Sequence, residues 1–154
     1  MTVSHPVART AFYCCTLRAD DAATPNPICG DTYAARFVDA ELRRELAPVL
    51  RHGPPRASNV ARHRLIDDLI RARLAEDATS RVILLGAGFD TRAFRLRGGW
   101  WLEIEDPQIL AMKEERLPAA GAPNPLTRVP VSFQHDSLAA RPAPLAGDDR
   151  ALVA

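Results

Sequence analysis

The stretch Gly86-Ala87-Gly88-Phe89-Asp90-Thr91-Arg92 is the part of this chain best suited to chemistry. Two glycines one residue apart let a backbone turn tightly and approach a ligand with no Cβ in the way. The residues before them, Val82-Ile83-Leu84-Leu85, are a short continuous apolar run, β-branched at its start. Such a run reads as a fully buried strand of a parallel sheet. A glycine turn at the carboxyl end of a parallel strand is where nucleotide ligands bind. A second strand, Trp100-Trp101-Leu102-Glu103-Ile104, is followed by Glu105, with Glu103 and Asp106 beside it. A carboxylate about twenty residues after the turn can accept hydrogen bonds from two ribose hydroxyls. The order strand, glycine turn, strand, acid points to an adenosine-containing cofactor. The plainer alternative is that Gly86 and Gly88 only make a tight turn.

Two side chains tilt the choice of cofactor. A dinucleotide fingerprint wants a third glycine or alanine where Thr91 stands, so that helix and strand can pack closely. It also wants a helix N-terminus free for a pyrophosphate, and the charge of Asp90 would repel one. An acid is tolerable beside a cofactor that has no phosphates and a positive sulfonium, which favours S-adenosylmethionine over a nicotinamide dinucleotide. Asp90 also suits a helix N-cap, and both roles can hold together.

The elements that must position these residues come in two styles. Val7 to Arg18 has helical spacing in Val7, Ala8, Ala11, Phe12 and Cys15. A loop from Asp20 to Gly30 follows, and Asp31 stands where the N-cap of a second helix belongs, with Ala34, Phe37, Val38, Leu42, Leu46 and Leu50 on one face. Gly53, Pro54 and Pro55 are expected to end it, and Ser58 to cap the next. There Leu65, Ile66, Leu69, Ile70 and Leu74 form the expected buried stripe. Arg62 points with that stripe, so it either snorkels out at the helix start or meets a polar ligand. From Arg81 the pattern alternates strand and helix. Pro107 to Leu117 is helical, Arg128 to Phe133 is a third strand, and Ala151 to Ala154 opens a fourth. The expected organisation is a helical cap region, residues 1–78, ahead of a cofactor-binding α/β part, residues 79–154, with a parallel sheet and crossover helices. A strand at the end of the chain leaves a sheet edge open, which implies an incomplete domain and room for a homo-oligomer.

Composition limits the partners. Of 154 residues, 47% are hydrophobic and 25% charged, the balance of a globular protein. A formal net charge of +1 gives no reason to expect nucleic acid or a membrane surface as partner. No apolar run approaches the roughly 20 residues of a membrane span, and the first nine residues lack a signal core, so the cytoplasm is the default location. Cys14, Cys15 and Cys29 read as reduced thiols, and no spacing resembles a metal site. His5, His52, His63 and His135 are scattered and read as structural or solvent-facing.

Leu84-Leu85-Gly86-Ala87-Gly88-Phe89-Asp90-Thr91-Arg92-Ala93-Phe94-Arg95-Leu96 closely resembles the "LGAGxDTRxxRL" signature of the leucine carboxyl methyltransferase family. Leu102-Glu103-Ile104-Glu105-Asp106-Pro107 with Lys113 resembles its "FExDxPxxxxxK" segment, and Asp31-Thr32-Tyr33-Ala34 its "DPYA" motif. Ala61-Arg62 followed by Leu69-Ile70 resembles the helix whose arginine holds the cofactor's carboxylate. The resemblance runs from about Arg9 to the end of the chain. It implies a Rossmann-like class I methyltransferase sheet behind an N-terminal helical region, incomplete at the C-terminus. It further implies S-adenosyl-L-methionine held by Arg62 at the carboxylate, Gly86, Ala87, Gly88 and Asp90 at the turn, and Glu105 at the ribose. Ser132 and Phe133 fall at the adenine, where relatives carry an acid; Asp136 lies nearby. Arg18 corresponds to a basic residue near the methionine end. Relatives continue past the fourth strand with a glutamate, and this chain is expected to stop one residue short of it.

The expected activity is therefore methyl transfer to an oxygen, a carboxylate or hydroxyl on a small molecule or peptide. Such transfer is mainly positioning, which fits the absence of a triad or metal cluster. The alternatives are a truncated, inactive cofactor-binding remnant and a nicotinamide-dependent oxidoreductase.

Overall fold

The computed structural model describes residues 6–51, 53–136 and 151–153. The chain divides into two compact units, residues 1–68 with 89–91, and residues 69–88 with 92–154. The sequence division at 78/79 lies ten residues further on. The observed division falls within a helix, and Phe89–Thr91 joins the first unit.

The first unit begins with α1 (Pro6–Ala22), longer than the segment read from sequence. Its loop is closed by Asp21, whose carboxylate accepts the amides of Ile28, Cys29 and Gly30 at 2.9–3.0 Å. Next comes a 3-10 turn (Ala34–Phe37), then α2 (Ala40–Leu50). One continuous helix capped by Asp31 was expected here. Instead Asp31 caps only the 3-10 turn, accepting from Ala34 N at 3.2 Å. Val38 is extended, and Asp39 caps α2 by accepting from Leu42 N at 2.8 Å. Two local caps compete for one apolar periodicity, and the chain uses both. The core of this unit holds Phe12, Leu17, Phe37, Leu42, Leu46 and Val60. The Phe89 ring lies 4.6 Å from Phe12 and 4.7 Å from Phe37.

Helix α3 (Gly53–Glu76) starts five residues before Ser58, with Pro54 and Pro55 in its first turn, where a missing N–H costs nothing. Its buried face is another correction. Val60, His63, Asp67, Ile70 and Leu74 are buried, at alternating steps of three and four residues, whereas Leu65 and Leu69 are each 59% exposed. Arg62 does share a face with Leu65, Ile66 and Leu69, but that face is open and Arg62 is exposed. Asn59 is also buried, and the polar residues Asn59, His63 and Asp67 hold buried positions, so an apolar count picks the wrong side. Asn59 donates to Cys14 Sγ at 3.3 Å and His63 meets Arg18.

The second unit is built on four parallel strands, β1 (Arg81–Leu85), β2 (Trp100–Glu105), β3 (Leu126–Pro130) and β4 (Ala151–Val153), in the order β3-β2-β1-β4. The chain moves outward from β1 to β3 and then returns to the far side of β1, the doubly wound pattern of a Rossmann-like sheet. Strand β3 begins and ends earlier than its sequence reading of Arg128–Phe133. Ile83, Leu102, Ile104 and Val131 form one core cluster, with Val129 packed against it. The short α4 (Arg92–Arg95) follows the glycine turn, and α5 (Pro107–Arg116) follows β2. Asp106 caps α5 by accepting from Gln108 N at 2.8 Å. Among the described residues no helix is long and apolar enough to cross a membrane.

Candidate functional site

Strand β1 is straddled by β2 and β4, so its carboxyl end lies at the topological switch point where α/β sheets bind ligands. The chain leaves it through Gly86 and Gly88, with φ of 64° and 48°. Those left-handed values favour glycine because a Cβ would crowd the following carbonyl. At Gly86 a Cβ would meet no atom within 4 Å, so the backbone there faces open space. The Gly86 and Ala87 amides both donate to Ile104 O, at 2.9 and 3.2 Å, fixing the turn against the end of β2.

Glu105 ends β2 beside this turn. Its Oε2 accepts Gly88 N–H at 2.6 Å and its Oε1 accepts the Asp106 amide at 2.7 Å. A carboxylate offers about four lone-pair sites, so these two bonds orient Glu105 and leave acceptor capacity for hydroxyls. The sequence pattern placed Gly86, Gly88 and Glu105 together, and the structure brings them together. After β3, Ser132 and Phe133 open a turn in which Ser132 O accepts His135 and Asp136 amides, and Asp136 Oδ2 accepts Ser132 N–H at 3.0 Å. The Phe133 ring is half exposed, and Asp136 caps the turn.

The neighbouring acid Glu103 is fully buried and serves a different purpose. It pairs with Lys113 Nζ of α5 at 2.8 Å and Arg128 Nε of β3 at 2.9 Å, and Arg128 also pairs with Glu114. The glutamate and lysine of the "FExDxPxxxxxK" segment thus tie α5 and β3 to β2. A buried carboxylate demands such partners, and removing one leaves an uncompensated charge.

In the first unit, Asp90 belongs to the segment Phe89–Thr91, where a buried network gathers around Arg18. Arg18 is 3% exposed. It donates from Nε to Asp31 Oδ2 at 2.9 Å, from Nη2 to Phe89 O at 2.7 Å and from Nη1 to His63 Nε2 at 3.3 Å. Arginine can only donate, so His63 accepts at Nε2. Burial alone would lower the Arg18 pKa, but Coulombic attraction to Cys15, Asp31 and Asp90, with the Asp31 hydrogen bond, holds it above its ordinary value. Thr91 Oγ1 donates to Asp31 Oδ1 at 2.7 Å. Sequence spacing gave no sign of this network, since Asp31 and Thr91 lie 60 residues apart. Only the motifs containing each one marked them. Arg62, on the open face of α3, lies in this same unit.

The three cysteines are free thiols. His5 and His52 lie outside the described residues, His63 is in the Arg18 network and His135 is exposed. Among the described residues no group of three or more His, Cys, Asp or Glu side chains is placed to hold a metal ion.

Comparison with known proteins identifies relatives of this chain. The sequence pattern of the family described as "Leucine carboxyl methyltransferase" matches residues 11–143. A protein of Mycolicibacterium smegmatis is 33% identical over 146 residues, covering 84% of this chain and 49% of its own length. One from Parafrankia sp. is 35% identical over 135 residues, 77% of this chain and 41% of its own. One from Streptomyces coelicolor is 32% identical over 142 residues, 81% and 46% respectively. Each of the three is described as a "Putative S-adenosyl-L-methionine-dependent methyltransferase". The chain spans about half the length of the curated relatives it matches.

Proposed function

The chain belongs to the leucine carboxyl methyltransferase family, and from that premise we propose that it carries the S-adenosyl-L-methionine site of an O-methyltransferase. The observation that carries this reading is the turn after β1. Gly86 faces open space in a conformation that favours glycine, and Gly88 N–H holds the carboxylate of Glu105 at 2.6 Å. A carboxylate acceptor beside an open glycine turn fits an adenosine bearing a vicinal diol and no phosphates. When bound, the cofactor supplies an electrophilic methyl group on its sulfonium. The chain's own residues bind and orient. Gly86, Ala87 and Gly88 bring the backbone close. Glu105 accepts the ribose hydroxyls, and Asp90 adds negative charge suited to a sulfonium. Ser132 supplies a hydroxyl and Phe133 an aromatic face for adenine. Arg62 pairs with the methionine carboxylate.

The acceptor in this reading is a carboxylate or hydroxyl on a small molecule or peptide. An anionic acceptor needs no general base, and positioning carries the rate. A second reading is a cofactor-binding chain that performs no transfer.

Calorimetry with S-adenosylhomocysteine, competed by nicotinamide dinucleotides, tests the site. We expect binding that dinucleotides do not displace. Arg62→Ala should weaken it roughly 10- to 100-fold, the cost of losing a charged hydrogen bond. Its unfolding free energy should change by less than about 0.5 kcal/mol, because Arg62 is exposed. A folded chain that ignores S-adenosylhomocysteine would sink the reading. Binding without methyl transfer to any carboxylate or hydroxyl acceptor would favour the second.

A further inference from the structure

The two glycines that make the ligand-facing turn have no conformational preference of their own. Something else must hold them at φ of 64° and 48°. Before Gly88 the two amide bonds to Ile104 O do this. Immediately after Gly88 the chain enters the buried network of the first unit, where Phe89–Thr91 is gripped three times. The Phe89 ring sits against Phe12 and Phe37, Arg18 Nη2 holds Phe89 O at 2.7 Å, and the Thr91 hydroxyl holds Asp31 Oδ1 at 2.7 Å. Asp31 is fully buried, and its other oxygen takes Arg18 Nε at 2.9 Å.

We propose that Arg18, Asp31 and Thr91 are positioning residues that clamp the segment following Gly88 and so preset the glycine turn for its ligand. Asp31 is the centre of the clamp. Its two oxygens join the backbone-holding arginine of α1 to the hydroxyl at the end of the gripped segment. The chemistry explains the residue types. A carboxylate accepts at both oxygens, an arginine donates in three directions, and a threonine hydroxyl on a branched Cβ reaches a short distance with few rotamers open to it. A turn held in its bound conformation avoids the ordering cost on binding, and this raises affinity. The proposal rests on the turn being the cofactor site for its effect on affinity. Its effect on the turn itself does not depend on that reading.

The test uses the full chain labelled with ¹⁵N-glycine, which has 8 glycines and so a short list of amide resonances. Thr91→Val keeps shape and removes the hydroxyl; Thr91→Ser restores it. In the unliganded protein, Thr91→Val should move the Gly86 and Gly88 resonances by more than their linewidths and leave Gly121 in place. The S-adenosylhomocysteine Kd should rise about tenfold or more, and Thr91→Ser should return both readouts to near the parent values. Unmoved Gly86 and Gly88 resonances in folded Thr91→Val overturn the proposal, whatever happens to affinity. If Thr91→Val does not fold, Asp31→Asn, which keeps the size and one acceptor oxygen, is read by the same resonances with the same two outcomes. If the parent chain binds no S-adenosylhomocysteine, the cofactor reading fails and the resonances still decide the clamp.

Discussion

Cys29 and Asp21 show how closely residue-scale chemistry is controlled in the helical unit. The Cys29 thiol donates to Asp21 Oδ2 at 3.2 Å. Burial first, and then the hydrogen bond to the Asp21 carboxylate, push the thiol up to about 11. Asp21 shifts the other way: burial would raise it, but the amides of Ile28, Gly30 and Cys29 and the Cys29 thiol outweigh that and hold it below its usual range. A thiol raised in the folded state gives stability that is fully present below its unfolded pKa. That stability is lost as pH climbs to the folded value. Unfolding free energy should therefore decline between about pH 9 and about pH 11, by at most about 1.4 kcal/mol per pH unit from this group. Urea unfolding of the parent and Cys29→Ala across that window checks it. Parallel curves would show that the thiol contributes nothing.

At the scale of elements, the entry to β2 is closely packed. Gly98 and Gly99 have φ of 92° and 78°. A Cβ on Gly99 would lie 2.8 Å from Leu74 Cδ2 and 2.9 Å from Ser80 O, and a backbone oxygen cannot step aside. Asn124 secures the same approach, accepting from Gly98 N at 2.8 Å and donating to Ala93 O and Leu96 O. Gly99→Ala should cost about 3 kcal/mol through strain and overlap. Gly121→Ala, which faces open space, should stay within about 0.5 kcal/mol. Equal denaturation midpoints for the two variants would contradict this account. Strand β1 and the glycine turn were legible because a continuous apolar run closed by glycine has few other readings. Helix α3 is legible but its buried face is not, because Asn59, His63 and Asp67 occupy buried positions that an apolar count assigns to solvent.

For the whole molecule, ligand binding and stability are one equilibrium. If the turn binds S-adenosylhomocysteine only in the folded chain, ligand at a hundred times Kd adds about 2.7 kcal/mol. For a chain of 154 residues that is a rise in Tm of about 5–10 °C. Thermal unfolding with and without ligand measures it, and Arg62→Ala should shrink the shift. An unchanged Tm at saturating ligand would contradict binding to the folded state.

By itself, the sequence determined the strand order in time, the glycine turn, the acid at the end of β2 and the family. These are local properties, written in consecutive residues and in spacings of about twenty. Tertiary structure decided three other things. It separated Glu103, buried between Lys113 and Arg128, from Glu105, which holds the turn, although both stand on β2. It turned the face of Arg62 outward. It also joined Arg18, Asp31 and Thr91 across 73 residues of chain. The reason is common to all three: a buried polar group is defined by the partners that satisfy it, and those partners are neighbours in space that no reading along the chain can pair.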